Sequence, residues 1–203
     1  MATAVLVIGL MVAAALLGLL LTTRLSTTFR IWPTPGPGSW QNYVFWPLFR
    51  GLNVLCFVMA AVDTAGYFGL PAWLRALAFG ALIGSTALFV YAFRVLGRDN
   101  SYGAQDGLVT GGIYRWSRNP QNAMLVVVYG CLAAATDGGG TYLLCAAMMA
   151  VYVLMVLCEE PWLEHVYGEP FRRYCRRVPR FFNCRRALLV LQIATKRRGL
   201  RAT

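Results

Sequence analysis

The chain has 203 residues, 58% of them hydrophobic, with a mean hydropathy of +0.55, whereas soluble domains average roughly 45–50% apolar residues. The excess falls in blocks near the ~20 residues that cross a bilayer, which leaves little chain for a separate soluble domain. The net charge is +11 and all but one of the 19 basic residues are Arg; with no soluble surface left to bind nucleic acid, that charge reads as cytoplasmic loops facing anionic lipid.

The first apolar run, Ala4 to Leu21, has no basic flank before it and no small-residue cleavage site after it, so a retained span is expected. Residues 31–50 (IWPTPGPGSWQNYVFWPLFR) carry four prolines, which argue against one continuous helix. Trp32, Trp40, Tyr43, Phe45 and Trp46 suit the headgroup zone, so this segment reads as an interfacial connector, with a lid over a site as the alternative. The second span is expected over about Gly51 to Leu70 and the third over about Leu74 to Leu96, with Pro71 and Trp73 at the turn between them. Asp63, within the second, is assigned no role. A polar stretch from Gly97 to Asn122 follows. A short fourth span, about Ala123 to Thr136, an Asp137-Gly-Gly-Gly140 turn and a fifth span, Thr141 to Cys158, then form an antiparallel hairpin.

The expected fold is therefore all-α: a polytopic membrane helix bundle of about five spans, with a C-terminal helical hairpin and a cytoplasmic tail helix. Three parts are expected. Residues 1–96 hold three spans and the connector, 97–182 a core of loop, hairpin and tail helix, and 183–203 a basic tail. Arg24, Arg30 and Arg50 follow the first span, and Arg94, Arg98, Arg115 and Arg118 the third, while the opposite loops have only Arg75. The positive-inside rule then sets the N-terminus outside and the C-terminus in the cytoplasm, in the inner membrane if the source is bacterial.

Two polar clusters flank the hairpin on the cytoplasmic side, Asp106 to Asn122 and Glu159 to Phe182. The hairpin returns on itself, so Glu159 and Glu160 should approach Arg118-Asn119-Pro120. Two adjacent carboxylates at a low-dielectric boundary need a cation or water; a solvated helix end is the bland alternative. Gly111-Gly112 permits close backbone approach to a ligand, or is an ordinary loop. Pro120 suits a helix start, and Pro161 the first turn of the tail helix. Glu164, Arg172, Arg173, Arg176 and Arg177 would form the charged face of an interfacial amphipathic helix, with Trp162, Val166 and Tyr174 opposite. His165, the only histidine, reads as a surface or packing residue. The six cysteines include no C-x-x-C pair, so they read as packing residues and no metal site is expected.

The segment LVTGGIYRWSRNP (Leu108 to Pro120), followed after a hairpin by E-E-x₇-G-E-x₄-Y-x₂-R-V-P-R-F (Glu159 to Phe181), resembles the isoprenylcysteine carboxyl methyltransferase and phospholipid methyltransferase superfamily. The resemblance covers about residues 97–182. It implies S-adenosylmethionine bound at the cytoplasmic face by the hairpin and its flanks. It carries the cofactor positions onto Asp106, Gly107, Leu108, Val109, Tyr114, Asn119, Pro120, Gln121, Asn122 and Glu159. On that reading Arg118 is expected to hold the cofactor carboxylate or the substrate, Glu160 to assist an amine acceptor and Arg177 to hold an anionic substrate group, these three being the catalytic candidates, with a hydrophobic or lipid-like acceptor entering from the membrane. Two positions depart from the family pattern. Asn119 stands where His is common, and Met155 stands four residues before Glu159, where the prenylcysteine enzymes carry a substrate-binding Arg. A prenylcysteine-type carboxyl or thiol methyltransferase, a membrane reductase with a similar hairpin and a non-catalytic membrane protein are the competing readings.

Overall fold

In the computed structural model, residues 1–36, 38–97, 100 and 107–182 are described. The basic tail expected over 183–203 and Asp106 lie outside them. The described residues form six α-helices, α1 (Ala2–Leu25), α2 (Trp40–Val62), α3 (Ala72–Leu96), α4 (Pro120–Thr136), α5 (Gly139–Tyr167) and α6 (Glu169–Arg177), with a short 3₁₀ turn at Gly112–Arg115.

Four helices, α1, α2, α3 and α5, are long and apolar enough to cross a membrane. The segment expected as a fourth span is α4, whose 17 residues reach only about 25 Å at 1.5 Å per residue, short of a hydrocarbon core of roughly 30 Å. An all-α bundle with four helices long enough to span is thus the architecture, and the shorter α4 packs between α3 and α5, running from the Arg118 end to the end where Asp137 meets Phe68 and Leu70.

Periodicity explains the packing. The buried positions of α1 are Gly9, Ala13, Leu16 and Leu20, one stripe at helical spacing. It faces α5 so closely that a Cβ on Gly9 would come within 2.7 Å of Leu144 Cδ1. The core is shared by α1, α2, α4 and α5, with Phe45, Leu52, Tyr129, Leu144, Met148 and Val151 almost wholly enclosed. On α3, by contrast, only Ser85 and Ala92 are buried, while Leu77, Phe79, Ile83 and Leu88 are exposed, as suits a lipid-facing helix. α3 leans on α4, and α2 leans on α1 and α5.

Two sequence expectations are corrected. α2 begins at Trp40, so the second half of the proline-rich connector is helical and the second span ends at Val62 rather than Leu70. Three of the four prolines precede the Ser39 cap, whose Oγ accepts from Asn42 N at 3.3 Å, and the fourth, Pro47, is carried inside the helix. Likewise Pro161 does not open a new helix. α5 runs unbroken from Gly139 to Tyr167, and the tail helix starts only after Gly168, at φ +56°. In both places tertiary packing overrides the local penalty of an internal proline.

The end of the bundle away from the candidate site is closed by two carboxylates. Asp63, at the end of α2, accepts from Gly140 N at 2.7 Å and so caps the start of α5. Asp137, the left-handed residue ending α4, accepts from Phe68 N, Leu70 N and the Tyr142 hydroxyl at 3.1, 2.9 and 3.2 Å. A Cβ on Gly138 would lie 2.0 Å from the Asp63 carbonyl oxygen, which requires glycine there.

Candidate functional site

The opposite end carries the polar chemistry. A cavity of about 100 Å³ lies between the segment before α4, the last turns of α5 and α6. Of the residues singled out in the sequence, Gly107, Leu108, Val109, Tyr114 and Arg118 line it, as do Asn119, Gln121, Asn122 and Glu159. Pro120 opens α4 beside them with Asn119 as the cap residue. The returning hairpin explains the convergence: α4 leaves this face at Pro120 and α5 comes back to it at Glu159.

Three lining groups define what the cavity can bind. Glu159 offers a carboxylate. The buried Trp32 indole N–H is directed at that carboxyl, while Arg118 Nε–H is buried and has no acceptor. A buried donor without an acceptor costs about 1–3 kcal/mol, so the cavity presents a carboxyl group faced by one donor and a second donor, Arg118 Nε–H, without an acceptor. The Tyr114 phenol is pushed above its ordinary range by burial, with Glu159 and Tyr174 adding to the effect, and stays protonated. Tyr174 donates to the Tyr114 carbonyl at 2.7 Å, tying α6 to the 3₁₀ turn.

Arg118 is otherwise committed. Its Nη2 meets Glu160 Oε1 at 2.7 Å, and its Nη1 donates to the carbonyls of Cys175 and Val178 at 3.2 and 3.3 Å. The second Glu160 oxygen meets Arg180 Nη2 at 2.6 Å. Glu160 therefore sits between two guanidiniums and straps the end of α6 to α5. Arg177 lies elsewhere, in an open groove with Thr110, Arg115, Pro170, Arg173 and Val178. His165 is exposed on α5.

Residues 73–170 match the phospholipid methyltransferase family model. The match runs from α3 to the first residues of α6, just under half of the chain, and stops before Arg172. No curated protein and no solved structure matches the chain. The chain is thus similar over this segment to a family of membrane-associated methyltransferases, in keeping with its apolar helices.

Sequence reasoning missed several lining residues. Trp32 belongs to the connector assigned to the interface; instead it is 3% exposed, stacks on Phe45 at 4.8 Å between centroids and meets Trp46 edge-on. Met155, noted only as a departure, lines this cavity and also a second one. That second cavity, about 400 Å³, lies within the bundle and is lined mainly by Trp46, Phe49, Phe57, Phe89, Phe93 and Leu125. The two share Trp32, Gln121, Asn122 and Met155. Phe57 and Thr86 are exposed on its α2 and α3 edges, so it opens sideways toward lipid. No pattern in the sequence marked it, because its lining comes from four helices.

Proposed function

We propose that the chain is an integral-membrane methyltransferase that moves a methyl group from S-adenosylmethionine to a lipid or lipid-like amphiphile. The observation that carries this reading is the pair of adjoining cavities with opposite chemistry. One gathers the polar groups Glu159, Arg118, Asn119 and Tyr114 at the end where the basic residues lie; the other is lined mainly by apolar side chains and opens between α2 and α3.

The residues present fit the amino-acid arm of that cofactor. Glu159, oriented by the Trp32 N–H, suits its α-ammonium, and the Arg118 Nε–H suits its carboxylate. An apolar cavity of about 150 Å³ holds benzene, so the enclosed 100 Å³ takes one end of a nucleoside-sized ligand, and the rest would lie toward Gly107–Val109. Asp106, beside Gly107, joins the proposed set on the family resemblance. When bound, the cofactor supplies a sulfonium methyl group, whose transfer to an acceptor lone pair leaves a neutral thioether.

The chain's own residues bind and orient. Tyr114, protonated, donates to the adenosine. Gln121 and Asn122, shared by the two cavities, form a polar rim between them, Asn119 lines the first, and Pro120 fixes the helix start that holds them. Met155 puts an apolar side chain, not a cation, at that junction, which suits a hydrocarbon acceptor better than a free carboxylate. Glu160, engaged through both oxygens by two guanidiniums, is with Arg118 a positioning residue for α6. Arg177, with Arg115 and Arg173, meets anionic headgroups at the membrane surface. Orientation of acceptor against methyl donor then supplies much of the acceleration. Isothermal titration with S-adenosylhomocysteine and with a reduced nicotinamide cofactor separates this reading from a reductase. Transfer of labelled methyl to lipid extracts and to prenylcysteine analogues then distinguishes the acceptors. A prenylcysteine analogue methylated efficiently while every lipid is ignored would overturn the acceptor class.

A further inference from the structure

The apolar cavity has a polar end. Asn53 is the one amide within the apolar stretch Gly51–Val62 of α2. Its Nδ2 donates to the Phe49 carbonyl at 2.6 Å. Its Oδ1 accepts from two phenols, Tyr129 of α4 and Tyr152 of α5, the latter at 3.3 Å. All three side chains line the apolar cavity. A clamp between helices needs one such bond. The second is long, beyond the usual 2.5–3.0 Å of an O–H···O bond, so Tyr152 is the donor able to turn to a better acceptor.

Position gives the second half of the argument. Tyr152 and Glu159 are seven residues apart on α5, and Asn122 and Tyr129 seven apart on α4. At 1.5 Å per residue, both helices set the phenols about 10 Å from the polar rim. The space between is walled by Phe49, Phe93, Leu125 and Met155. A ligand filling it is therefore apolar along its length and meets hydrogen-bond donors at the far end.

We propose that the cavity takes an amphiphile bearing a carbonyl or hydroxyl oxygen inside its apolar body, about 10 Å from its reactive head, and that Tyr152 donates to that oxygen. The identity of the head as the methyl acceptor rests on the methyltransferase reading; the oxygen-binding cavity does not. Exchanging the long Asn53 bond for a well-placed one to the ligand, in a low-dielectric site, raises affinity by up to about tenfold.

The test uses the full chain in nanodiscs without methyl donor. Octadecylamines bearing a keto oxygen at successive carbons compete against tritiated octadecylamine. One keto position is expected to bind about tenfold more tightly than the plain chain, and Tyr152→Phe to erase that gain. S-adenosylhomocysteine affinity, read in parallel, reports that the variant is folded, and Tyr129→Phe provides a second variant should it not be. Affinity independent of keto position, or an optimum surviving Tyr152→Phe in the folded variant, overturns the proposal. A keto optimum without S-adenosylhomocysteine binding would sink the methyltransferase reading while leaving the cavity assigned. Methyl transfer without any keto optimum would do the reverse.

Discussion

Substituting Arg118→Ala should release the end of α6 without unfolding the bundle. Arg118 and Glu160 are each 11% exposed and meet at 2.7 Å, so solvent screens them little. The substitution also removes donors to the Cys175 and Val178 carbonyls. Breaking a buried pair typically costs about 3–5 kcal/mol. Arg180 stays on Glu160 at 2.6 Å and keeps the carboxylate partnered, so the lower end, about 3 kcal/mol, applies, or roughly a hundredfold in the docking equilibrium. Hydrogen exchange in detergent is the assay. Amides of α6, including Val178 N on the Tyr174 carbonyl, should exchange roughly a hundredfold faster, with α1 and α2 unchanged. A double-mutant cycle with Glu160→Ala should show coupling of about 1–3 kcal/mol. Unaltered exchange in α6, or additive single effects, would refute the strap.

Gly138→Ala should lower the thermal midpoint sharply, because its Cβ would lie 2.0 Å from the Asp63 backbone oxygen; overpacking of this kind costs about 1–3 kcal/mol or more, and an unchanged midpoint would mean that the α4–α5 turn is loose. Burial raises the Asp137 carboxyl, but the Leu70 and Phe68 N–H groups outweigh it and hold it below the ordinary 3.8. Its contribution is therefore fully present above pH 3.8 and lost as pH falls through the depressed value. Asp137→Asn should flatten that acid limb in a thermal-shift series. For topology, Ala65→Cys on the exposed turn after α2 should react with an impermeant maleimide from outside the cell, and a reporter after Thr203 should stay cytoplasmic; the opposite labelling would reverse the orientation.

The helices were legible wherever composition alone decides. α1, α3 and the apolar part of α5 stand near their expected bounds because a long apolar run has few other structures in lipid. The hairpin argument put the Glu159–Glu160 pair near Arg118, and Arg118 pairs with Glu160. Pro47 and Pro161 misled because each was read as a break, while the contacts that hold those helices come from segments distant in sequence. Trp32 was assigned to the headgroup zone by residue type, yet Phe45 and Trp46 bury it over the cavity. Asp63 and Asp137 gave no sign of their role because their partners, Gly140 N and Leu70 N, are backbone groups. Asn53 did carry a signal, since an amide within an apolar span is a functional candidate by default, but its meaning needed Tyr129 and Tyr152 beside it.

The central claim is that Glu159 is the anionic partner of a cofactor ammonium group. Isothermal titration of the full chain and of Glu159→Gln with S-adenosylhomocysteine tests it most directly, since the substitution keeps the shape and removes the charge. A charge-assisted bond is worth about 1.5–3 kcal/mol, so the account predicts binding to the unaltered chain and a loss of roughly ten- to a hundredfold in the variant. Equal affinity in both, or no binding by the unaltered chain, would contradict it.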